Sequence, residues 1–186
     1  MTNQPKLFLL PLALVAIVAS AQQDAHVHGE AQLAIAVNGN ELHIEFESPG
    51  ANLVGFEHVP QNQKQEQALA VASGELAAPN QLLQFEGTEC QLQSAEVKPP
   101  HTDAGQHHAH HTGHTDHSDA HEIHSTHASF RAAYHYRCDN VAALDTINVV
   151  LFSRFREIHT INAQWLTATK QGATTLTAKS PKLQMK

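Results

Sequence analysis

Two short alternating runs meet at Asn38-Gly39. Leu33, Ile35 and Val37 alternate with small or polar residues before it, and Leu42, Ile44 and Phe46 do the same after it. Period-2 runs on either side of Asn-Gly predict a β-hairpin. Both apolar rows share one face if the loop holds two or four residues, so the core side is odd before the turn and even beyond it. Carried backward, that parity places His26, His28, Glu30 and Gln32 together on the wet face. Ser48-Pro49-Gly50 ends the second strand, and residues 51 to 60 follow as a connection with apolar anchors. Good helix formers from 61 to 73 predict one short helix ending near Gly74. Leu82, Leu83 and Phe85 start a strand that reaches Cys90. From Ser129, Phe130, Tyr134, Tyr136 and Cys138 share one parity and Arg131, His135 and Arg137 the other, which is a half-buried strand. Ile147 to Phe152 reads as a central strand, Ile158 to Leu166 as another, and Thr174 to Thr177 closes the sheet after Gln171-Gly172. The pattern predicts an α+β domain, a mostly antiparallel β-sheet with one or two short helices.

Two segments break this pattern. Lys6, an apolar run from Leu7 to Val18 and Ala19-Ser20-Ala21 have the three parts of a cleavable secretory signal, so residues 1–21 are read as a leader and 22–186 as a single domain. The run is shorter than the roughly 20 residues of a spanning helix. No later segment is apolar enough to span, so the mature chain is expected to be soluble and periplasmic. From Pro99 to Thr126 the composition turns to His, Thr, Ser and Asp, with Ile123 the one large aliphatic side chain. Nothing there repays the entropy of ordering, so it is expected to be a long disordered His-rich insertion, 99–126, in the domain.

Charge and histidine content then narrow the function. Removing the leader leaves 18 acids against 10 bases, so there is no basic surface for a nucleic-acid backbone. An acidic shell suits cations. Of 16 histidines, ten fall between residues 101 and 127. Imidazole is the commonest ligand for zinc, copper and nickel, and polar filler is ordinarily Gly, Ser, Lys and Glu rather than His. His107, His114 and His121 are spaced by seven, as are His110, His117 and His124, so neighbours could grip one ion on a metal-induced turn. A solvated spacer and a pH sensor are the competing readings. His26-Val27-His28 starts a chelate if it extends the first strand, with His58 beside Glu57 and His127 at the mouth of the insertion as further ligands of a roughly tetrahedral zinc site. His43, His135 and His159 read as surface histidines. Asp24-Ala25-His26 would suit square-planar copper or nickel only if Asp24 carried the amine, and the expected cut puts His26 fifth.

Cys90 and Cys138 flank the insertion in a chain bound for an oxidising compartment. A disulfide is the default, and two thiolate metal ligands are the alternative.

The segments AHVHGEAQLAIAV (25–37), ESPGANLVGFEHVP (47–60), HASFRAAYHYRC (127–138) and INVVLFSRF (147–155) together resemble the ZrgA-type family of bacterial periplasmic proteins over nearly the whole mature chain. Val27 stands where the first motif often has Glu. The resemblance implies zinc import alongside an ABC transporter, on a fold unlike the two-lobed zinc receptors. It points to His28, His58 and His127 as ligands in the folded domain, with His26 as a helper, and to Cys90–Cys138 as the disulfide. The expected cargo is Zn2+, with copper or nickel as competing ions, and the expected partner is the membrane component of an ABC importer. A zinc buffer or chaperone without a transporter is the runner-up. A zinc hydrolase using Glu57 as general base is a third reading, but His-Glu-x-x-His, nucleophile and phosphate-cradle motifs are absent, so no enzyme is expected.

Overall fold

The structure is a computed structural model, and it describes residues 27–100 and 128–185. The leader, His26, the His-rich segment and His127 lie outside the described residues. Strand β1 (Glu30–Asn38) and strand β2 (Glu41–Pro49) form the expected hairpin, with Asn38 opposite Glu41 across a two-residue loop. Leu33, Ile35, Leu42, Ile44 and Phe46 are buried, the parity the alternation dictates. Helix α1 (Gly50–Val54) follows Pro49 at once, where the sequence suggested only a connection.

Helix α2 (Gln63–Leu76) is capped by Asn62, whose side chain accepts from Gln65 N at 3.1 Å. It runs through Gly74 rather than ending there, because Leu76 and Ala72 face the core and their burial outweighs the roughly 1 kcal/mol that glycine costs a helix. Strand β3 (Leu83–Glu86) stops short of Cys90. Gly87, at φ 100°, turns the chain out of one sheet, and β4 (Cys90–Lys98) begins in another. Strand β5 is Ser129–Cys138. The apolar run after Asp145 divides into β6 (Thr146–Val149) and a single turn of helix, α3 (Leu151–Arg154). Strands β7 (Thr160–Leu166), β8 (Gln171–Thr177) and β9 (Lys182–Gln184) complete the chain.

The strands form two sheets, in orders β4-β5-β2-β1-β7-β8 and β3-β6-β9. Every pairing is antiparallel except β1 with β7. One face of the large sheet, the small sheet and the inner side of α2 share a single core. The other face of the large sheet is exposed, with Ala36, His43, Glu45, Arg131 and Ala133 on it. No helix among the described residues is long and apolar enough to cross a membrane. Cys90 and Cys138 are opposite each other on β4 and β5 and are joined as a disulfide.

Two buried tyrosines on β5 make a testable contrast. Tyr134 donates to Leu76 O at 2.9 Å, whereas the Tyr136 hydroxyl has no hydrogen-bond partner among the described residues, its ring meeting Phe85 edge-on at 4.8 Å. Burial pushes the pKa of both phenols above the usual tyrosine value, so both stay protonated. Removing an unpaired buried hydroxyl costs little, while removing a paired one strands its acceptor. In urea unfolding Tyr136→Phe is expected to be neutral or stabilising, and Tyr134→Phe to cost about 1 kcal/mol.

Candidate metal site

His28 does not extend β1. It stands in a turn before it, at the pole of the sheet where β1 begins, β2 ends and β5 begins. Gly29 makes the turn with φ +86°, a conformation open to glycine. Its carbonyl accepts from His159 N at 2.8 Å and Thr160 N at 3.0 Å, and a side chain added at Gly29 would stand 2.8 Å from His159 Nδ1. The period-2 reading fails here because the chain joins the ladder only at Glu30, two residues after His28.

Asn52, 3 % exposed, locks the turn to α1. Its Oδ1 accepts from Gly29 N at 2.7 Å, and its Nδ2 donates to Glu30 O at 2.8 Å and Ser48 Oγ at 3.1 Å. Asn52→Ala would strand Gly29 N and Glu30 O. The expected loss is about 3 kcal/mol of folding stability, since each buried unpaired group costs about 1–3 kcal/mol. Chemical denaturation measures it.

Past α1 the chain returns to the turn. His28 Nε2 lies 3.1 Å from Glu57 Oε1. An ionised carboxylate only accepts, so Nε2 carries the shared proton. His58 follows; its Nδ1 donates to Val59 O at 2.9 Å and its ring stacks on Phe56 with centroids 5.1 Å apart. That hydrogen bond leaves the Nε2 lone pair for a metal. His28 and His58 are both exposed.

The return of the chain to β5 is fixed at the same pole. Gly50 N donates to Ala128 O at 2.7 Å. A Cβ on Gly50 would stand 2.8 Å from Phe56 O and 3.0 Å from Ala128 O, so only glycine lets these three backbone segments meet. Ala128 is thereby anchored beside the 56–57 peptide, and β4, whose Lys98 pairs with Arg131, leads toward the same end of the sheet.

Among the described residues, no three His, Cys, Asp or Glu side chains are grouped to hold a metal. His28 and Glu57 are in contact, and His58 adjoins Glu57 in the chain. His26 and His127, like His107, His110, His114, His117, His121 and His124, lie outside the described residues. Cys90 and Cys138 are consumed in their disulfide. Sequence reasoning missed Asn52 and the Glu57 contact with His28; a lone Asn among apolar residues after a strand-ending Pro-Gly was the available signal.

The sequence profile of the ZrgA family zinc uptake proteins matches residues 25–185. The chain belongs to the ZrgA family. The match takes in the His28 turn, the Glu57-His58 segment and both cysteines, so these lie within the family's domain and a role connected with zinc uptake follows from it. No curated protein matches the chain.

Proposed function

We propose that the protein captures zinc in the periplasm, after removal of a leader at residues 1–21, and passes it to the membrane component of an ABC-type importer. Capture rather than catalysis is the reading that zinc uptake membership supports. The ligands are His28, His58 and His127, with His26 as a helper. Glu57 either joins them or holds His28 from outside the coordination sphere. Three chain segments converge on this pole. The observation that carries the reading is the His28–Glu57 contact, 3.1 Å, beside the Gly50–Ala128 hydrogen bond that fixes the residue following His127.

Zinc binds neutral imidazole, so any ligand ring that carries a second proton loses it on binding, and affinity weakens as pH falls. His107, His110, His114, His117, His121 and His124 raise the local ligand concentration and bind zinc more weakly, because ordering their segment consumes binding energy. Copper and nickel compete, since imidazole donors suit all three.

The experiment has two parts. Calorimetry of zinc binding at about pH 6 in buffers of different ionisation enthalpy should show proton release in the tight event, and a buffer-independent heat would contradict histidine ligation. Zinc-limited cells lacking the protein should accumulate less zinc, and the purified protein should retain the importer's membrane component. Normal accumulation without that retention would favour a buffer.

A further inference from the structure

The exposed face of the large sheet carries two other histidines, at the end away from the His28 turn. His43 on β2 and His135 on β5 are direct cross-strand partners. Their rings are stacked, with centroids 4.4 Å apart and planes 7° from parallel. Such pairing brings side chains of adjacent strands close enough to act together.

The pair has an organised surrounding. His135 Nε2 lies 2.6 Å from Glu41 Oε2. The carboxylate accepts, so Nε2 carries the proton and Nδ1 keeps the lone pair. A carboxylate on the far nitrogen is what orients metal-binding imidazoles and raises their basicity. Arg137 Nη2, 3.5 Å from Glu41 Oε1, steadies that carboxylate in turn. Beyond the pair, Ala36 on β1 faces His43 and Ser94 on β4 faces His135, so small residues flank the rings on both sides. The β4 register also shifts between Leu92 and Ser94, next to His135. Bulges of this kind re-aim side chains and recur beside functional sites.

We propose that His43 and His135, with Glu41 as the orienting carboxylate, form a second, weaker site for a borderline divalent metal such as zinc. It is separate from the His28 site: β2 runs from His43 to Pro49 before α1 begins, roughly 20 Å of strand. An imidazole binds metal in its own ring plane, so His43 turns out of the stack to bring its nitrogen to the ion at His135 Nδ1, and water completes the coordination sphere. Zinc held this way exchanges readily, which suits a protein that must release its cargo.

The test is a zinc titration of the full chain labelled with 15N-histidine, read through the imidazole nitrogen shifts of each ring. His43→Gln and His135→Gln identify the two signals, and both positions lie on the solvent face away from the core. The His43 and His135 signals should move together, at higher zinc than the first tight equivalent, and should still do so in His28→Ala. His43→Gln should raise the zinc concentration for half-response of His135 at least tenfold, and Glu41→Gln should raise it by less. Rings that do not respond to excess zinc overturn the proposal. So does a His135 response unchanged by His43→Gln, which would mark an ordinary exposed histidine.

Discussion

The triple variant His28→Ala, His58→Ala and His127→Ala is expected to lose the tight zinc-binding event entirely and to keep the weak ones. Zinc takes about four ligands, and removing three leaves no basis for tight binding. Loss of a single outer partner of a ligand costs roughly 10–100-fold in affinity, so removing ligands themselves should weaken the site by at least about a hundredfold. Titration calorimetry on residues 22–186 separates the two classes. Deleting residues 101–124 gives the converse pattern: stoichiometry falls and the tight event stays. If the triple variant and the wild type give the same profile, the His-rich segment is the only binder and the pole site is wrong. If the deletion abolishes tight binding, the division into a folded site and an accessory segment is wrong.

That the His28 turn and the Glu57-His58 segment meet at one pole was only partly legible. The hairpin at Asn38-Gly39, the half-buried β5 and the β7-β8 pair were readable because each rests on local alternation, and a period of two survives without knowledge of the partners. The two-sheet division was not. It depends on Gly87 turning the chain between β3 and β4, and a single glycine between two polar residues looks the same in a turn and in a strand break. The split of the run after Asp145 into β6 and α3 was hidden for a related reason, since a continuous apolar stretch carries no period. At the site, histidine composition pointed to His28 and His58 without geometry. What holds His28 is a buried asparagine and a glycine at positive φ, and neither residue type proclaims its partners. Conversely, His43 and His135 look like ordinary surface positions until register puts them opposite each other.

Reduction of the Cys90–Cys138 disulfide is expected to cost about 4 kcal/mol of folding stability in the chain-entropy model, without weakening zinc binding in molecules that remain folded. The cost follows from the span of the crosslink, a sequence separation of 48, which includes the whole His-rich segment. A long loop of that kind leaves the unfolded chain much to gain when the bond opens. The native state has little to compensate with, because β4 is, among the described residues, an edge strand paired only with β5 and most of its residues are exposed. The pole that carries His28 is protected from the change. Cys138 lies at the far end of β5 from Ala128, and what fixes Ala128 is its hydrogen bond to Gly50, while Asn52 holds the His28 turn from α1. Urea unfolding of Cys90→Ser/Cys138→Ser beside the oxidised protein measures the first effect, and zinc competition in the absence of denaturant measures the second. A variant as stable as the wild type would show that other contacts already confine β4 in the unfolded chain. A tenfold loss of zinc affinity with the fold intact would show that β4 helps to position the pole, and would move part of the site's support from α1 to the edge of the sheet.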